Sequence, residues 1–164
     1  MAYALQELLR IRVMREDRAS AELSAARQEV RRAEQQLVER KDELRAYEET
    51  KEERRDRIYE AVLGHAVSRE EIDKVIEGVA RIDEEGALKA DNVALAAAKV
   101  KEKERLSEEA KAHFVQASKE RMKISEHREI WLAAELKEQE ARQEIELEDF
   151  TGKKNVESLE DGGN

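Results

Sequence analysis

A seven-residue repeat of apolar positions runs through the first third of the chain and restricts what it can fold into. Steps of seven from Leu9 reach a large apolar side chain at six of eight positions, which are Leu9, Glu16, Leu23, Val30, Leu37, Leu44, Lys51 and Ile58. A companion series from Leu5 to Ala61 is richer in alanine. A repeat of this kind holds one seam of a helix against a partner helix. A single solvated helix is improbable because the seam would expose Leu, Val and Ile to water.

The composition agrees with long helices and excludes several other classes of protein. The 164 residues contain no Pro, no Cys and six Gly, and 43% of them are charged whereas 4% are aromatic. Without cysteine the chain has no disulfide framework, thiolate zinc site or cysteine nucleophile. So few aromatic and turn-forming residues argue against a globular core and favour an all-α fold.

Stop and start signals for two helices lie within a few residues of each other. Gly64 suits the left-handed position beyond a helix end, and Ser68 with Glu71 fits a capping box that opens a new helix. The predicted boundaries are helix one at about 3–63, a turn at 64–68, helix two at about 69–150 and a disordered acidic tail at 151–164. So short a turn predicts a long antiparallel two-helix coiled-coil hairpin, a single domain over residues 1–150.

The turn also predicts which residues of the two helices face each other. Residue i should lie opposite a residue near 132 − i, which places Leu5 near His127 and Val30 near Glu102. The seam of helix two is expected at Leu106, Ala110, Phe114, Ala117, Ile124 and Trp131. Gly78 and Gly86 each cost about 1 kcal/mol relative to Ala in a helix, so a kink or fray is expected there.

No arrangement of residues indicates catalysis or a cofactor. His113 and His127 share a helix face but lie about 21 Å apart along the axis, too far to share a metal ion. The sequence has no phosphate-binding glycine loop and no nucleophile elbow. We therefore expect no enzyme activity, no cofactor and no metal.

The charge argues against two kinds of partner. The net charge is −9, of which −7 falls between Glu129 and Asn164, and a negative chain is a poor ligand for nucleic acid or anionic membranes. No apolar run approaches the length of a membrane span or signal peptide. A cytoplasmic protein with no direct membrane insertion is expected.

Three features stand out from the periodic background, and each is open to two interpretations. Leu8, Ile11 and Val13 lie off the seam and widen the apolar arc near the amino terminus, either for packing on helix two or for insertion into a ring. A second stripe beside the turn, either core or docking surface, comprises Ile72, Val75, Ile76 and Val79. Trp131, the single tryptophan, either caps the coil or anchors a partner.

Two stretches of the sequence resemble the YscO/FliJ family of small type III secretion proteins. The opening LLRIRVMREDRASAEL resembles the amino terminus of that family, and HREIW followed by LKEQEARQEIELEDF resembles the Trp-containing, Glu-rich stretch of its chlamydial-type members. The resemblance implies a stalk and adaptor that inserts into the hexameric export ATPase ring, promotes its activity or assembly, and contacts the export gate and export chaperones. It also implies a position at the inner membrane, peripheral to the secretion apparatus, and favours a virulence system over a flagellar one.

By analogy with a rotary stalk, the resemblance also implies which residues contact each partner. The ATPase ring would be contacted by Leu5, Leu8, Ile11, Arg12, Arg15, Ile124 and Trp131. The export gate or a chaperone would be contacted by Ile72, Val75, Ile76 and Val79. A monomeric hairpin is expected on this hypothesis. The alternatives are a homodimeric coiled-coil scaffold and a curved membrane-binding bundle, and the acidic charge argues against the latter.

Overall fold

The chain folds into two long helices that run antiparallel. The computed structural model describes residues 3–160, with side chains described for residues 3–150. Within these residues α1 spans Gln6–Glu60 and α2 spans Arg69–Glu160, and there is no strand. The predicted all-α hairpin is therefore confirmed. The described residues group into two compact units, one made of the segments up to Arg18 and from Phe114 onward, the other of Ala19–His113.

Both ends of α1 lie three residues inside the predicted boundaries at 3 and 63. At the start, the Gln6 N–H donates to the Tyr3 carbonyl, and the Tyr3 side chain packs on α2 instead of continuing the helix. At the end, Val62 and Leu63 donate to the carbonyls three residues before them, so that the last turn tightens. Gly64 follows with a φ of 90°, a conformation that costs glycine little.

The capping box at the start of α2 is confirmed. The Glu71 N–H donates to Ser68 Oγ at 3.3 Å, and the Ser68 N–H donates to Glu71 Oε2 at 2.8 Å. These two bonds satisfy backbone donors that the first turn of any helix leaves without a helical partner. They explain why α2 begins at Arg69 and why the reversal takes so few residues.

The carboxyl end of α2 differs from the sequence prediction. A disordered tail was expected from residue 151, whereas the structure describes helix as far as Glu160. No proline interrupts the segment, and the single Gly152 costs only about 1 kcal/mol relative to Ala. The last four residues of the predicted tail, 161–164, lie outside the described residues.

The core of the Ala19–His113 unit follows the predicted seam of α1. Its buried α1 side chains are Ala19, Leu23, Ala33 and Tyr47, all of which belong to the two heptad series. From α2 they meet Ile82 and Val100, which are also buried. The heptad series does not hold everywhere, because Arg40 and Ala61 are exposed.

The register between the helices agrees with the prediction in both units. In the Ala19–His113 unit, Lys103 Nζ lies 3.3 Å from Glu29 Oε2, and Lys99 Nζ donates to Gln36 Oε1 at 2.9 Å. In the other unit, Arg12 bonds to Glu120. These pairs sum to between 132 and 135, close to the expected 132.

One predicted seam position on α2 is wrong. Leu106 was expected to face α1 but is 39% exposed, whereas Val100 is buried and Lys103 and Ser107 are half-buried. Steps of seven back from Phe114 reach Ser107 and Val100, so the leucine lies one residue off the repeat. Lys103 and Ser107 occupy the seam in this part of α2. A prediction that considers only which residues are apolar therefore chooses Leu106 wrongly.

Gly78 and Gly86 serve close packing, and α2 is unbroken through both. The expected fray is therefore wrong, whereas the kink stays a prediction. A Cβ at Gly86 would lie 2.9 Å from Tyr47 Cε1, and a Cβ at Gly78 would lie 3.1 Å from Ile58 Cδ1. The Tyr47 hydroxyl donates to the Ile82 carbonyl of α2. Glycine at these positions lets two large α1 side chains approach the α2 backbone.

Opposite effects on stability are expected for alanine at the two glycines. Gly86→Ala should lower the Tm, because the Tyr47 ring is buried and fixed by its hydrogen bond, and overpacking costs about 1–3 kcal/mol. Gly78→Ala should raise it slightly, because the end of Ile58 can move aside and alanine gains about 1 kcal/mol in helix propensity. Thermal melts followed by circular dichroism measure both. A higher Tm for Gly86→Ala would contradict the close approach of Tyr47.

Candidate partner-binding surfaces

The first candidate surface joins the start of α1 to the middle of α2, within one compact unit. We call it the N-terminal surface, and it comprises Tyr3–Arg18 and Phe114–Trp131. At its edge the Tyr3 hydroxyl lies 2.7 Å from His127 Nδ1, and the centroid of the Tyr3 ring lies 5.5 Å from that of Trp131. Tyr3 is buried. This aromatic cluster ties the residues before α1 to α2.

Two ion pairs cross between the helices of the N-terminal surface. Arg121 Nε donates to Glu16 Oε2 at 2.5 Å, and Arg12 bonds to Glu120. The hydrogen bond from Arg121, followed by one from Ser118, lowers the pKa of Glu16 below its usual value. Glu16 is a charged residue at a position of the heptad series where most members are apolar. Arg121 on the facing helix balances its charge. The pairs fix the local register more than they add stability.

The Glu16 ion pair should make stability depend on acid pH. Because the pKa of Glu16 is lower in the folded than in the unfolded chain, its contribution is complete above pH 4.5 and is lost as the pH falls through the folded pKa. Glu16→Gln should lower the Tm at neutral pH and leave a smaller difference from the wild type at acid pH. Thermal melts across the acid range measure this. If Glu16→Gln and Glu48→Gln, at an exposed position of α1, behaved alike, the ion pair would contribute nothing.

The structure brings the residues predicted to contact the ATPase ring into this one unit but gives them different environments. Leu5, Leu8, Ile124 and Trp131 are half-buried, as is Arg12, which is engaged with Glu120. Ile11 and Arg15 are exposed. Met14, which the sequence analysis did not select, is 62% exposed beside Ile11 on the same helix face. The large apolar side chains that this surface exposes to a partner are Ile11, Val13 and Met14 on α1 and Val115, Met122 and Ile130 on α2. Ile11 and Met14 lie together on one face of α1, and both are more exposed than the seam residues.

The second candidate surface lies at the turn, in the other unit. We call it the turn surface, and it comprises residues 58–79. Of the stripe predicted there, Val75 and Val79 are half-buried, whereas Ile72 and Ile76 are 49% and 61% exposed. The core interpretation fits Val75 and Val79, whereas Ile72 and Ile76 are accessible and their role in docking stays a prediction.

A groove and two further apolar side chains extend the turn surface. The groove has a volume of about 430 Å³ and is lined by Arg57, Ile58, Ala61, Val62, Glu71, Lys74 and Val75. Tyr59 and Leu63 are exposed nearby in the chain and were missed by the sequence analysis. The apolar run at the end of α1 could have indicated them. It was not considered because the predicted helix one, which ends at 63, includes these residues. Four exposed apolar residues therefore accompany the groove.

Two other kinds of site are absent from the described part of the chain. Among these residues no group of three or more His, Asp and Glu side chains could hold a metal ion. Neither helix, over the same residues, has an apolar stretch long enough to cross a membrane. The candidate sites of this chain are therefore the N-terminal surface and the turn surface, at each of which another macromolecule could bind.

Comparison with known proteins places the chain in a family. No curated protein sequence gives a significant match. A solved structure of a proposed YscO homologue from Chlamydia trachomatis matches with a TM-score of 0.72 at 23% identity, over 100% of this chain and 99% of that one, which supports the fold. The sequence model for the type III secretion protein YscO matches residues 5–153. The chain therefore belongs to the YscO family of type III secretion proteins.

Proposed function

We propose that this protein is a stalk and adaptor of the type III secretion export ATPase. The N-terminal surface inserts into the ring of the hexameric ATPase and promotes its activity or assembly, while the turn surface contacts the export gate or an export chaperone. Family membership supports a role in type III secretion. The observation that carries the ATPase contact is the exposure of Ile11 and Met14 on a helix pair held by aromatic and ionic contacts.

The physical properties of the N-terminal surface suit insertion into a ring. A helix is about 10–12 Å across with its side chains, so two helices side by side form a slender element that a protein ring can surround. Ile11 and Met14 lie three residues apart on the outer side of α1, away from the buried Leu9. About half of each side chain is still accessible, so its burial in a ring would contribute about 1–2 kcal/mol. The ion pairs between Arg12 and Glu120, and between Arg121 and Glu16, keep the two helices in register during contact.

The turn surface suits a partner that binds an apolar patch with a charged rim. Ile72 and Ile76 are one helical turn apart and both exposed. The neighbouring groove carries Arg57, Lys74 and Glu71 beside its apolar lining. An apolar centre with charged residues around it is the usual anatomy of a protein interface. The export gate and export chaperones are the partners that the family relationship suggests for it.

We also propose a location and an oligomeric state for the protein. The protein is cytoplasmic and peripheral to the secretion apparatus at the inner membrane, and it is monomeric before it binds. Its net charge of −9 makes nucleic acid an unsuitable partner. The competing proposal, a homodimeric coiled-coil scaffold, requires a stable dimer of the isolated chain. Light scattering after size exclusion separates the two.

The direct test is a titration of the full chain into the cognate export ATPase, with phosphate release as the measured rate. The proposed function predicts a rate that rises with added protein and saturates, and co-elution of the two proteins. An unchanged rate together with separate elution would refute the proposed ATPase contact. An unchanged rate with co-elution would retain the contact but refute stimulation of hydrolysis by the chain.

A further inference from the structure

The segment of α2 that follows Trp131 carries an exposed apolar stripe that the proposed function does not use. We call Leu132–Phe150 the acidic extension. At 100° per residue, one arc of about 80° collects six of its positions. They are Leu132, Leu136, Gln139, Gln143, Leu147 and Phe150. All six are exposed, and Leu136 retains 57% of its accessible surface.

The rest of the acidic extension is strongly negative. Residues Leu132 to Phe150 contain seven acidic and two basic side chains and thus have a net charge of −5. The carboxylates flank the stripe on both sides, with Glu140 and Glu144 on one side and Glu135 and Glu146 on the other. A partner that buries the stripe must therefore pass close to many negative charges, which attract a basic surface and repel an acidic one.

This charge also decides between a second copy and a different protein. Two acidic extensions packed stripe to stripe would bring two segments with a net charge of −5 each into contact. Like charges placed side by side across an interface cost several kcal/mol. A helix with Lys and Arg beside its apolar stripe would instead gain from every flanking carboxylate. The charge thus favours a basic partner over self-association.

We propose that the acidic extension is a docking helix for a partner protein that presents a basic amphipathic helix. The stripe from Leu132 to Phe150 would cover about 27 Å, enough to contact five turns of the partner. The apolar contacts come from Leu132 and Leu136 near the start of the stripe and from Leu147 and Phe150 at its end. Gln139 and Gln143 interrupt the stripe with uncharged amides, and polar residues within an apolar seam fix the register of paired helices.

The test uses the full chain and a synthetic helical peptide as the probe. The peptide carries Leu at three- and four-residue spacing, Lys elsewhere, no tryptophan and a fluorescent label, and its anisotropy reports binding. Trp131 is the single tryptophan of the chain and adjoins Leu132, so its emission gives a second readout. We expect saturable binding that weakens at least tenfold in Leu132→Asp/Leu136→Asp. The added negative charge alone would strengthen attraction to lysines, so such a loss reports the stripe.

A matched variant and two control peptides complete the experiment. Ala141→Asp/Ile145→Asp introduces the same charges at exposed positions on the opposite face of the acidic extension, and it should bind like the wild type. The proposal is overturned if both double variants weaken binding equally, or if peptides with Ser for Leu or Glu for Lys bind as well. It is also overturned if the wild type forms a dimer that Leu132→Asp/Leu136→Asp dissolves, because a second copy then covers the stripe. None of these measurements involves the ATPase, so they are independent of the proposed stalk function.

Discussion

Replacement of Leu23 by aspartate is expected to destabilise the hairpin severely. Leu23 is 7% exposed and lies in the seam of the Ala19–His113 unit. The substitution removes a buried apolar side chain and places a carboxylate in its position, a combination that costs at least about 3 kcal/mol. A two-helix hairpin has only its seam as a core, so little else compensates. The Tm from circular dichroism should fall by roughly 10 °C.

Leu95→Asp provides the matched control in the same unit. It is the same chemical change at a leucine that is 69% exposed on α2. Surface substitutions of this kind usually change stability by less than about 1 kcal/mol. The Tm should therefore remain close to that of the wild type. Equal losses of stability in the two variants would contradict the assignment of the seam.

Ile11→Asp/Met14→Asp is expected to abolish stimulation of the export ATPase while leaving the fold intact. Both side chains are exposed on the N-terminal surface, so their replacement costs little in the free protein. In a ring their accessible parts would bury apolar area worth about 2–4 kcal/mol together, so the apparent affinity should fall by at least about 30-fold. Hydrolysis measured against concentration of the variant should stay at the rate of the ATPase alone.

The related double variant Leu8→Asp/Ile11→Asp should lose stimulation as well, but Leu8 is half-buried and its replacement also weakens packing on α2. Val38→Asp/Leu95→Asp is the matched control, because both residues are exposed and lie in the other unit. This control should stimulate hydrolysis like the wild type. Full stimulation by Ile11→Asp/Met14→Asp would show that the N-terminal surface does not contact the ring.

The sequence predicts the hairpin well because the determining signals are local or periodic. The heptad series, Gly64 and the capping box at Ser68 define two helices and the turn between them. The register between the two helices then follows from the position of the turn. What periodicity could not show was how single positions depart from the repeat. Leu106 is displaced by one residue from the seam, and Gly86, which by helix propensity alone is a weak point, is the position at which the Tyr47 ring approaches the α2 backbone.

The candidate surfaces were harder to predict because exposure depends on the facing helix. Ile72 and Val75 look equivalent in sequence, but only Val75 is turned far enough toward the groove beside α1 to be half-buried. Tyr3 was missed altogether, although the predicted register places it opposite residue 129, between His127 and Trp131. An aromatic residue before a helix start has no periodic partner, and only the three-dimensional pairing reveals its role.

Hydrogen exchange of the full chain with and without the cognate export ATPase tests most directly which surface contacts the ring. The proposed function predicts slower amide exchange over residues 5–18 and 114–131 in the presence of the ATPase, with residues 58–79 unchanged. Protection confined to residues 58–79, or no protection anywhere in the chain, would contradict it.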